Sequence, residues 1–310
     1  MAAQSRPDDN RRMNIPALFL SAAAIWGTTW FAITFQIDAI APEYGVALRF
    51  ALAAAIVLGW CRLRGIPLAM PRGEHRWLAA QGIVTYSVAY VLIYHAERFI
   101  VSGLVAVGYT LAPLVNMLLA RAFFRTPMSR RVAAGGVLGI AGIVLVFWPE
   151  FAQLSASRDV ALGAALTAVA VLLSCLGNMI VVRQHERGVE GWAPIGVGMA
   201  WGALCSLLIA MASGHAPTIV WSPAFVLSLL YLTIVGSVLA FGAYFALLNR
   251  IGAARAAYVG VMVPVVALII SSFFESFNWQ PQTFAGIALA VAGNVLALHR
   301  PAAPSVESTA

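Results

Sequence analysis

The chain of 310 residues is 61% hydrophobic and only 10% charged, whereas soluble domains contain about 45–50% apolar and about 25% charged residues. This composition excludes a water-soluble globular protein. The net charge of +7 comes without a basic stripe or an RNA-binding signature, so nucleic-acid binding is not predicted, and the three cysteines have neither paired nor metal-ligand spacing.

Apolar runs of about 20 residues recur along the chain, which is the length that crosses a bilayer as a helix. The flanking Arg, Pro and Gly residues predict ten helices near residues 16–36, 43–61, 77–96, 101–122, 131–148, 160–182, 192–213, 223–248, 254–274 and 281–298. The first run is too long for the core of a signal peptide and lacks a cleavage site, so we expect it to remain as the first span. The predicted fold class is an all-α integral membrane protein.

The arginines predict the orientation of these helices. With the N-terminus in the cytoplasm, sixteen of the nineteen basic residues fall in inner segments, only Arg98 and Arg158 fall outside, and Arg49 lies within the second helix. Basic residues concentrate on the cytoplasmic side of membrane proteins. We therefore expect a multi-pass protein of the bacterial inner membrane with two cytoplasmic tails, residues 1–15 and the disordered 299–310.

The two halves of the chain resemble each other. A shift of 151 positions aligns the pairs Pro113 with Pro264, Gly135 with Gly286, and Gly142 with Gly293. A proline within a helix bends it and frees a carbonyl group, so both prolines are candidate hinges.

Each predicted repeat contains five helices, an odd number, so the second repeat enters the membrane from the opposite side. The sequence thus predicts two inverted five-helix repeats, residues 16–148 and 160–298, joined by an outer linker at 149–159. This architecture is typical of transporters that bind substrate near the midplane between repeats and work by alternating access.

Five motifs carry a family resemblance. They are IWGTTWFA at 25–32, ALRFALAA at 47–54, TLAPLVNMLLA at 110–120, VPVVALIISSFFE at 263–275 and GIALAVAGNVL at 286–296. Together they resemble the EamA family of the drug/metabolite transporter superfamily over residues 16–298. Within it the chain is similar to amino-acid exporters of the YddG type, which implies export of aromatic and other neutral amino acids. One departure is that Glu275 has Phe124 at the corresponding position of the first half.

Aromatic residues supply the first candidates for a substrate site. Tyr86, Tyr90 and Tyr94 recur every four residues on the third helix, and Trp26 and Trp30 lie one turn apart on the first. Aromatic rings stack on aromatic substrates and attract an ammonium group. For Tyr86, Tyr90 and Trp26 we weigh substrate contact against helix packing, whereas Tyr94 suits the aromatic belt at the membrane surface.

Polar residues within the helices supply the second set. Ser174 and Asn178 lie one turn apart on the sixth helix, and Ser237 lies near the centre of the eighth. They could contact substrate or form hydrogen bonds between helices. Tyr109 precedes the bend at the fourth-helix proline, and Tyr258 occupies the corresponding stretch of the ninth helix.

Arg49 is the one basic residue predicted inside a span, which by default makes it a functional candidate. It could also extend its side chain to the nearby outer surface. The resemblance places an arginine here in relatives with different cargoes, which favours a hinge or gating role.

The carboxylates do not predict strong ion coupling. All twelve Asp and Glu residues fall in tails, loops or helix ends, Glu275 lies closest to the membrane, and His95 suits an interfacial position. We expect transport down the substrate gradient, or transport that is only weakly linked to protons. The absence of a G-x-x-x-x-G-K-S/T motif predicts no use of ATP and no cofactor.

The sequence favours an exporter over two other classes. A membrane enzyme would need acidic pairs or a Ser/His/Asp set on one side of the membrane, but the five histidines are scattered along the chain. A channel would not need the repeats and their prolines. Within the exporters, other metabolites or drugs remain alternative substrate classes. The expected partners are a small-molecule substrate and the lipid bilayer, with a monomer as the working assumption. No catalytic or metal-binding residue is predicted.

Overall fold

In the computed structural model, the described residues are 14–125, 130–152, 158–214, 216–251 and 259–298. Within these ranges the chain forms helices and no strand. The helices, with consecutive segments joined, are α1 (Ile15–Ile37), α2 (Pro42–Leu63), α3 (Arg72–Ala96), α4 (Ser102–Phe124), α5 (Arg130–Ala152), α6 (Arg158–Glu186), α7 (Trp192–Ala212), α8 (segments Pro223–Leu230, Tyr231–Leu239 and Ala240–Ile251), α9 (Val259–Phe274) and α10 (Pro281–Leu298).

Among the described residues, seven stretches are long and apolar enough to cross a membrane, namely α1 to α4, α6, α7 and the part of α8 from Pro223 to Tyr244. Shorter apolar stretches lie within α5, α9 and α10. The all-helical, multi-pass prediction is confirmed at this level, and the number of ten spans stays a prediction. Helix α5 ends at Ala152 and α6 begins at Arg158, so residues 149–152 and 158–159 of the range predicted as a linker are helical.

Local sequence explains where several helices begin. The structure places a proline at or next to the first residue of α1, α2, α8 and α10, where the missing backbone N–H costs nothing. At α1 the Asn14 side chain accepts a hydrogen bond from Ala17 N at 2.9 Å. At α8, Ser222 Oγ accepts one from Phe225 N at 3.1 Å. Both are N-caps that satisfy backbone donors at the helix start.

The loops gather at two ends of the helix bundle. At the end that we call the Glu97 end, Val220 N donates to Ala39 O at 2.8 Å and Arg98 Nη2 donates to Ile37 O at 3.1 Å. The loops at this end are 38–41, 97–101, 216–222 and 275–280. The opposite end, which we call the Arg183 end, holds the loops 64–71 and 187–191.

At the Arg183 end one ion pair joins two helices. Arg183 Nη1 of α6 donates to Glu74 Oε2 of α3 at 2.8 Å, and its guanidinium lies 4.1 Å from the centre of the Trp77 ring. Among the described residues, the predicted inner loops 64–71 and 187–191 therefore lie together at one end of the bundle, and the predicted outer loops 38–41, 97–101, 216–222 and 275–280 lie together at the other.

Helix direction relates the two halves. Both α1 and α3 end at the Glu97 end while α2 and α4 begin there; in the second half α6 and α8 begin there while α7 and α9 end there. Each of the helices α1 to α4 therefore runs opposite to its counterpart among α6 to α9. The contacts between helices have the same symmetry. The contact of α1 with α9 corresponds to the contact of α6 with α4, and the contacts of α2 with α7 and of α5 with α10 each join a helix to its own counterpart.

The glycines that the 151-residue shift aligns meet across the α5–α10 contact. A Cβ atom added to Gly142 would lie 2.5 Å from Gly286 O, and one added to Gly293 would lie 2.5 Å from Gly135 O. The backbones of α5 and α10 thus touch at two glycine pairs related by the repeat. Glycine is required here because a side chain would separate the helices.

Two segments depart from α-helical geometry at equivalent places. Residues Gly82–Val88 of α3 and Tyr231–Leu239 of α8 are π-helical, and the shift of 151 carries the first onto residues 233–239. In α4 a short 3₁₀ turn, Tyr109–Leu111, precedes the buried Pro113. Wider π-helical turns occur frequently at functional sites, and the candidate site lies beside the two π-helical segments.

Candidate functional site

A buried arginine lies beside the π-helical segment of α8. The side chain of Arg49 is only 1% exposed, and its Nε donates to Ser237 Oγ at 3.2 Å. Ser237 Oγ in turn donates to Leu232 O, five residues earlier, at 2.9 Å. The expectation that Arg49 could extend to the membrane surface is wrong, because its side chain turns inward to α8.

Aromatic rings surround this guanidinium. Arg49 Cζ lies 4.8 Å from the ring centre of Tyr90 and 5.3 Å from that of Phe50, which is the range of cation–π attraction. Arg49 Nη1 is buried and has no hydrogen-bond partner among the described residues. The site thus contains a cation with one free donor, held in place by rings on one side and a serine on the other.

An aromatic cluster joins the first half of the chain to the second. Phe50 packs against Tyr86 at 5.2 Å and against Tyr90 at 4.8 Å between ring centres. Phe241 of α8 lies 5.8 Å from Tyr86 and 5.5 Å from Trp26. With Tyr244, which lies 5.1 Å from Trp26, these residues form what we call the aromatic cluster.

The three tyrosines of α3 have different surroundings. The side chain of Tyr86 is 1% exposed, and its hydroxyl accepts a hydrogen bond from Gln81 Nε2 at 3.5 Å. The packing is tight, because a Cβ atom added to Gly202 would lie 2.6 Å from the Cβ of Tyr86. Tyr90 is half-buried. Tyr94 is fully buried, so its predicted position in an interfacial belt is wrong. Among the three, Tyr90 has the ring and hydroxyl best placed to meet a ligand.

On α1, Trp26 and its neighbour Gly27 make different contacts. A Cβ on Gly27 would lie 2.5 Å from Val266 Cβ, so the glycine makes the close crossing of α1 with α9. Trp26 is half-buried and directs its ring to the aromatic cluster. The crossing therefore uses the glycine and leaves the indole available.

A second polar group lies between α4 and α6. The Tyr109 hydroxyl is 3.1 Å from Ser174 Oγ, and the Trp30 ring lies 5.1 Å from the Tyr109 ring. Asn178 Nδ2 instead donates to Asn116 Oδ1 at 3.2 Å in an exposed pair. Ser174 thus joins the half-buried Tyr109, which packs on the buried Trp30, whereas Asn178 belongs to a separate contact. The hinge candidate Pro264 is buried inside α9, and Tyr258 lies outside the described residues.

Several members of the site were missed from the sequence. Phe50 adjoins Arg49 in the ALRFALAA motif, and Phe241 is the counterpart of Tyr90 under the 151-residue shift, so both could have been found. The carboxylates are a correction: Glu43 is 5% exposed, and both oxygens of Glu97 are buried. The expectation that no buried carboxylate exists is wrong, because neighbouring helices cover these helix ends.

The chemistry of the site suits binding better than catalysis. A free guanidinium donor beside tilted and edge-to-face rings can hold a ligand that combines an aromatic or apolar body with an anionic group. Within the described ranges, no group of three or more His, Cys, Asp or Glu side chains could hold a metal ion.

Comparison with known proteins identifies related chains. A model of the EamA-like transporter family matches residues 14–148 and again residues 162–298. The protein PagO of Salmonella typhimurium is 24% identical over 273 residues, covering 86% of this chain and 87% of PagO. The protein PecM of Dickeya dadantii is 28% identical over 255 residues and covers 82% of each chain.

A third relative has a name that describes a cargo. A probable amino-acid metabolite efflux pump of Salmonella typhimurium is 24% identical over 285 residues, covering 89% of this chain and 92% of the pump. Among solved structures, one crystal structure superposes on this chain with a TM-score of 0.67 at 17% sequence identity. The superposition covers 91% of this chain and 96% of the chain in that structure. That similarity shows a shared fold.

Proposed function

The chain belongs to the EamA-like transporter family, and from that premise we propose that it exports aromatic and other neutral amino acids by alternating access. It is a membrane metabolite exporter and not an enzyme, with several apolar helices that suit a multi-pass protein of the inner membrane. The substrate class and the transport mechanism are the parts that we propose.

The observation that carries the substrate proposal is the free Nη1 of Arg49 next to the aromatic cluster. The carboxylate of an amino acid would accept a hydrogen bond from this donor, and its ring would stack among Trp26, Tyr90 and Phe241. The faces of the same rings attract the ammonium group. Arg49 thereby gains a binding role in addition to the gating role expected from the sequence.

Helix direction and packing support alternating access. The helices of the first half run opposite to their counterparts, and the contacts between halves occur in symmetric pairs. A bundle of ten spans in two inverted repeats can exchange two equivalent packings, with Pro113 and Pro264 as hinges. We propose that both termini are cytoplasmic and that the Glu97 end faces outward, because the arginines concentrate at the other end.

A counterflow assay with purified protein in liposomes tests this function. Vesicles loaded with unlabelled phenylalanine, tryptophan or leucine should accumulate the same labelled amino acid, whereas vesicles loaded with a sugar nucleotide should not. Uptake with sugar nucleotides or drugs but with no amino acid would contradict the substrate class. Single-channel conductance in planar bilayers would contradict a carrier mechanism.

A further inference from the structure

Glu97 is a buried carboxylate without hydrogen-bond donors. It follows α3 directly, and its backbone N–H donates to Ile93 O at 3.0 Å. This bond holds the backbone of Glu97 against the last turn of α3. Both carboxylate oxygens are buried, and neither has a hydrogen-bond partner in the described part of the chain. A carboxylate in this condition is much less costly when it carries a proton, because the charged form has lost its water.

A second carboxylate lies close by in a very different state. Glu275 follows α9 and accepts hydrogen bonds from Ser102 N at 3.1 Å, Ser102 Oγ at 2.5 Å and Ser271 Oγ at 2.5 Å. These three hydrogen bonds satisfy the Glu275 carboxylate and join the end of α9 to the start of α4. Of the two neighbours, Glu97 is therefore the one that takes a proton.

The charged and titratable groups that surround Glu97 come from several elements. They are Arg49 from α2, Glu275 after α9, and Tyr94, His95 and Arg98 near Glu97 in sequence, and Glu43 of α2 joins this group through His95. Glu43 is paired with His95 at 2.8 Å, and Arg98 bonds to Ile37 O. Burial and the negative charge of Glu275 together raise the pKa of Glu97 well above its usual value, against the opposing effect of Arg49.

We propose that Glu97 is a proton-binding site that is occupied while the Glu97 end is closed and is vacated when that end opens. Closing takes one proton from the adjoining water and forms the O–H bond on Glu97. Opening returns that proton to water as the carboxylate is hydrated and moves away from Glu275. The proposal rests on the proposed alternating access, because it assigns the proton to one of the two access states.

The sign of the pH effect follows from linkage. The closed state has the higher Glu97 pKa and binds the proton more tightly, so a low pH at this end favours closing and a high pH favours opening. Between the pKa values of the two states, one proton changes the ratio of open to closed molecules by up to about tenfold per pH unit.

Cysteine accessibility measures this equilibrium without a substrate. Ile100 is 6% exposed at the Glu97 end, and Thr218 is exposed at the same end. In full-length protein with Cys61, Cys175 and Cys205 replaced by alanine, I100C would be labelled with a membrane-impermeant maleimide in liposomes. The rate is divided by that of T218C at each pH, which removes the pH dependence of thiol reactivity.

The expected normalised rate rises several-fold per pH unit in this background. The rate becomes independent of pH in Glu97→Gln, because glutamine has the shape of a protonated glutamate and does not titrate. The rate keeps its dependence on pH in the matched control Glu43→Gln. A flat profile before the substitution, or an unchanged slope in Glu97→Gln, would overturn the proposal. A rate that follows Na⁺ or K⁺ concentration at constant pH would also overturn it, because the carboxylates would then hold a metal cation.

The outcome separates this proposal from the proposed function. Normal amino-acid counterflow with a flat accessibility profile removes the proton site and leaves the exporter. A pH-dependent profile that is lost in Glu97→Gln, without counterflow of any amino acid, supports the proton site and removes the substrate class.

Discussion

Arg49 Nε donates a hydrogen bond to Ser237 Oγ at 3.2 Å, and this bond joins α2 of the first half to the π-helical segment of the second. Ser237 is the counterpart of Tyr86 under the 151-residue shift, so both π-helical segments direct a polar side chain to the region between the halves. The Nη1 of the same guanidinium has no hydrogen-bond partner in the described structure. This combination of fixed position and free donor makes Arg49 the most informative residue to change.

Arg49→Lys should reduce amino-acid counterflow by at least about tenfold. Lysine keeps the charge but loses the planar fork that bonds Ser237 and leaves Nη1 free, and a charge-assisted hydrogen bond contributes about 1.5–3 kcal/mol. Initial rates at subsaturating phenylalanine measure the effect. Arg64→Lys, at an exposed arginine of the opposite end, is the matched control and should transport normally. Equal rates for both variants would contradict a binding role for Arg49.

Tyr90 and Tyr86 should respond differently to substitution. Tyr90→Ala removes an accessible ring and should weaken phenylalanine binding by about three- to tenfold, from a stacking energy of about 0.5–1.5 kcal/mol. Tyr90→Phe should keep most of the affinity. Tyr86→Ala should instead cost about 3–5 kcal/mol of folding stability, since that ring is buried. Binding isotherms and thermal unfolding separate the two effects, and a normal affinity in Tyr90→Ala would exclude its ring from the site.

The helices were predictable because long apolar runs with arginine boundaries leave few alternatives. The π-helical segments were not predictable, since a change from α to π geometry has no counterpart in composition. The prediction of three tyrosines on one face of α3 assumed regular α-helical spacing. The structure inserts a π segment over 82–88, and Tyr94 donates its hydroxyl to Gln36 Oε1 at 3.0 Å in the core.

Part of the candidate site could be predicted from residue type alone. Trp26, Tyr90, Arg49 and Ser237 are unusual inside apolar helices, and the structure brings them together around the aromatic cluster. Burial of Glu97 could not be predicted, because the sequence shows that it follows a helix but not that the end of α9 and the start of α4 cover it. Contacts between distant segments decide such burial, and single-sequence patterns do not encode them.

The hydrogen bond between Tyr109 and Ser174 should couple the two residues energetically. Tyr109→Phe and Ser174→Ala each break the same bond, so the double variant should lose less than the sum of the two single losses. Hydrogen bonds between membrane helices average about 0.6 kcal/mol, which sets the size of the coupling. Thermal or denaturant unfolding of the purified variants measures it. The same cycle on the exposed pair Asn116 and Asn178 is the control and should give a coupling near zero, whereas equal coupling in both pairs would contradict the difference in burial.

The contact of α5 with α10 should depend on the glycines that the repeat aligns and not on glycine in general. In Gly286→Ala the new Cβ would lie 2.5 Å from Gly142 O and 2.7 Å from Val146 N, and because both are backbone atoms the helices must separate. Overpacking of this kind costs about 1–3 kcal/mol. Gly139 lies on the same pair of helices, but a Cβ there meets nothing within 4 Å, so Gly139→Ala should stabilise the protein by up to about 1 kcal/mol through helix propensity. Unfolding of the two variants in detergent should therefore shift in opposite directions, and a Gly286→Ala protein as stable as Gly139→Ala would show that α5 and α10 do not meet at this glycine.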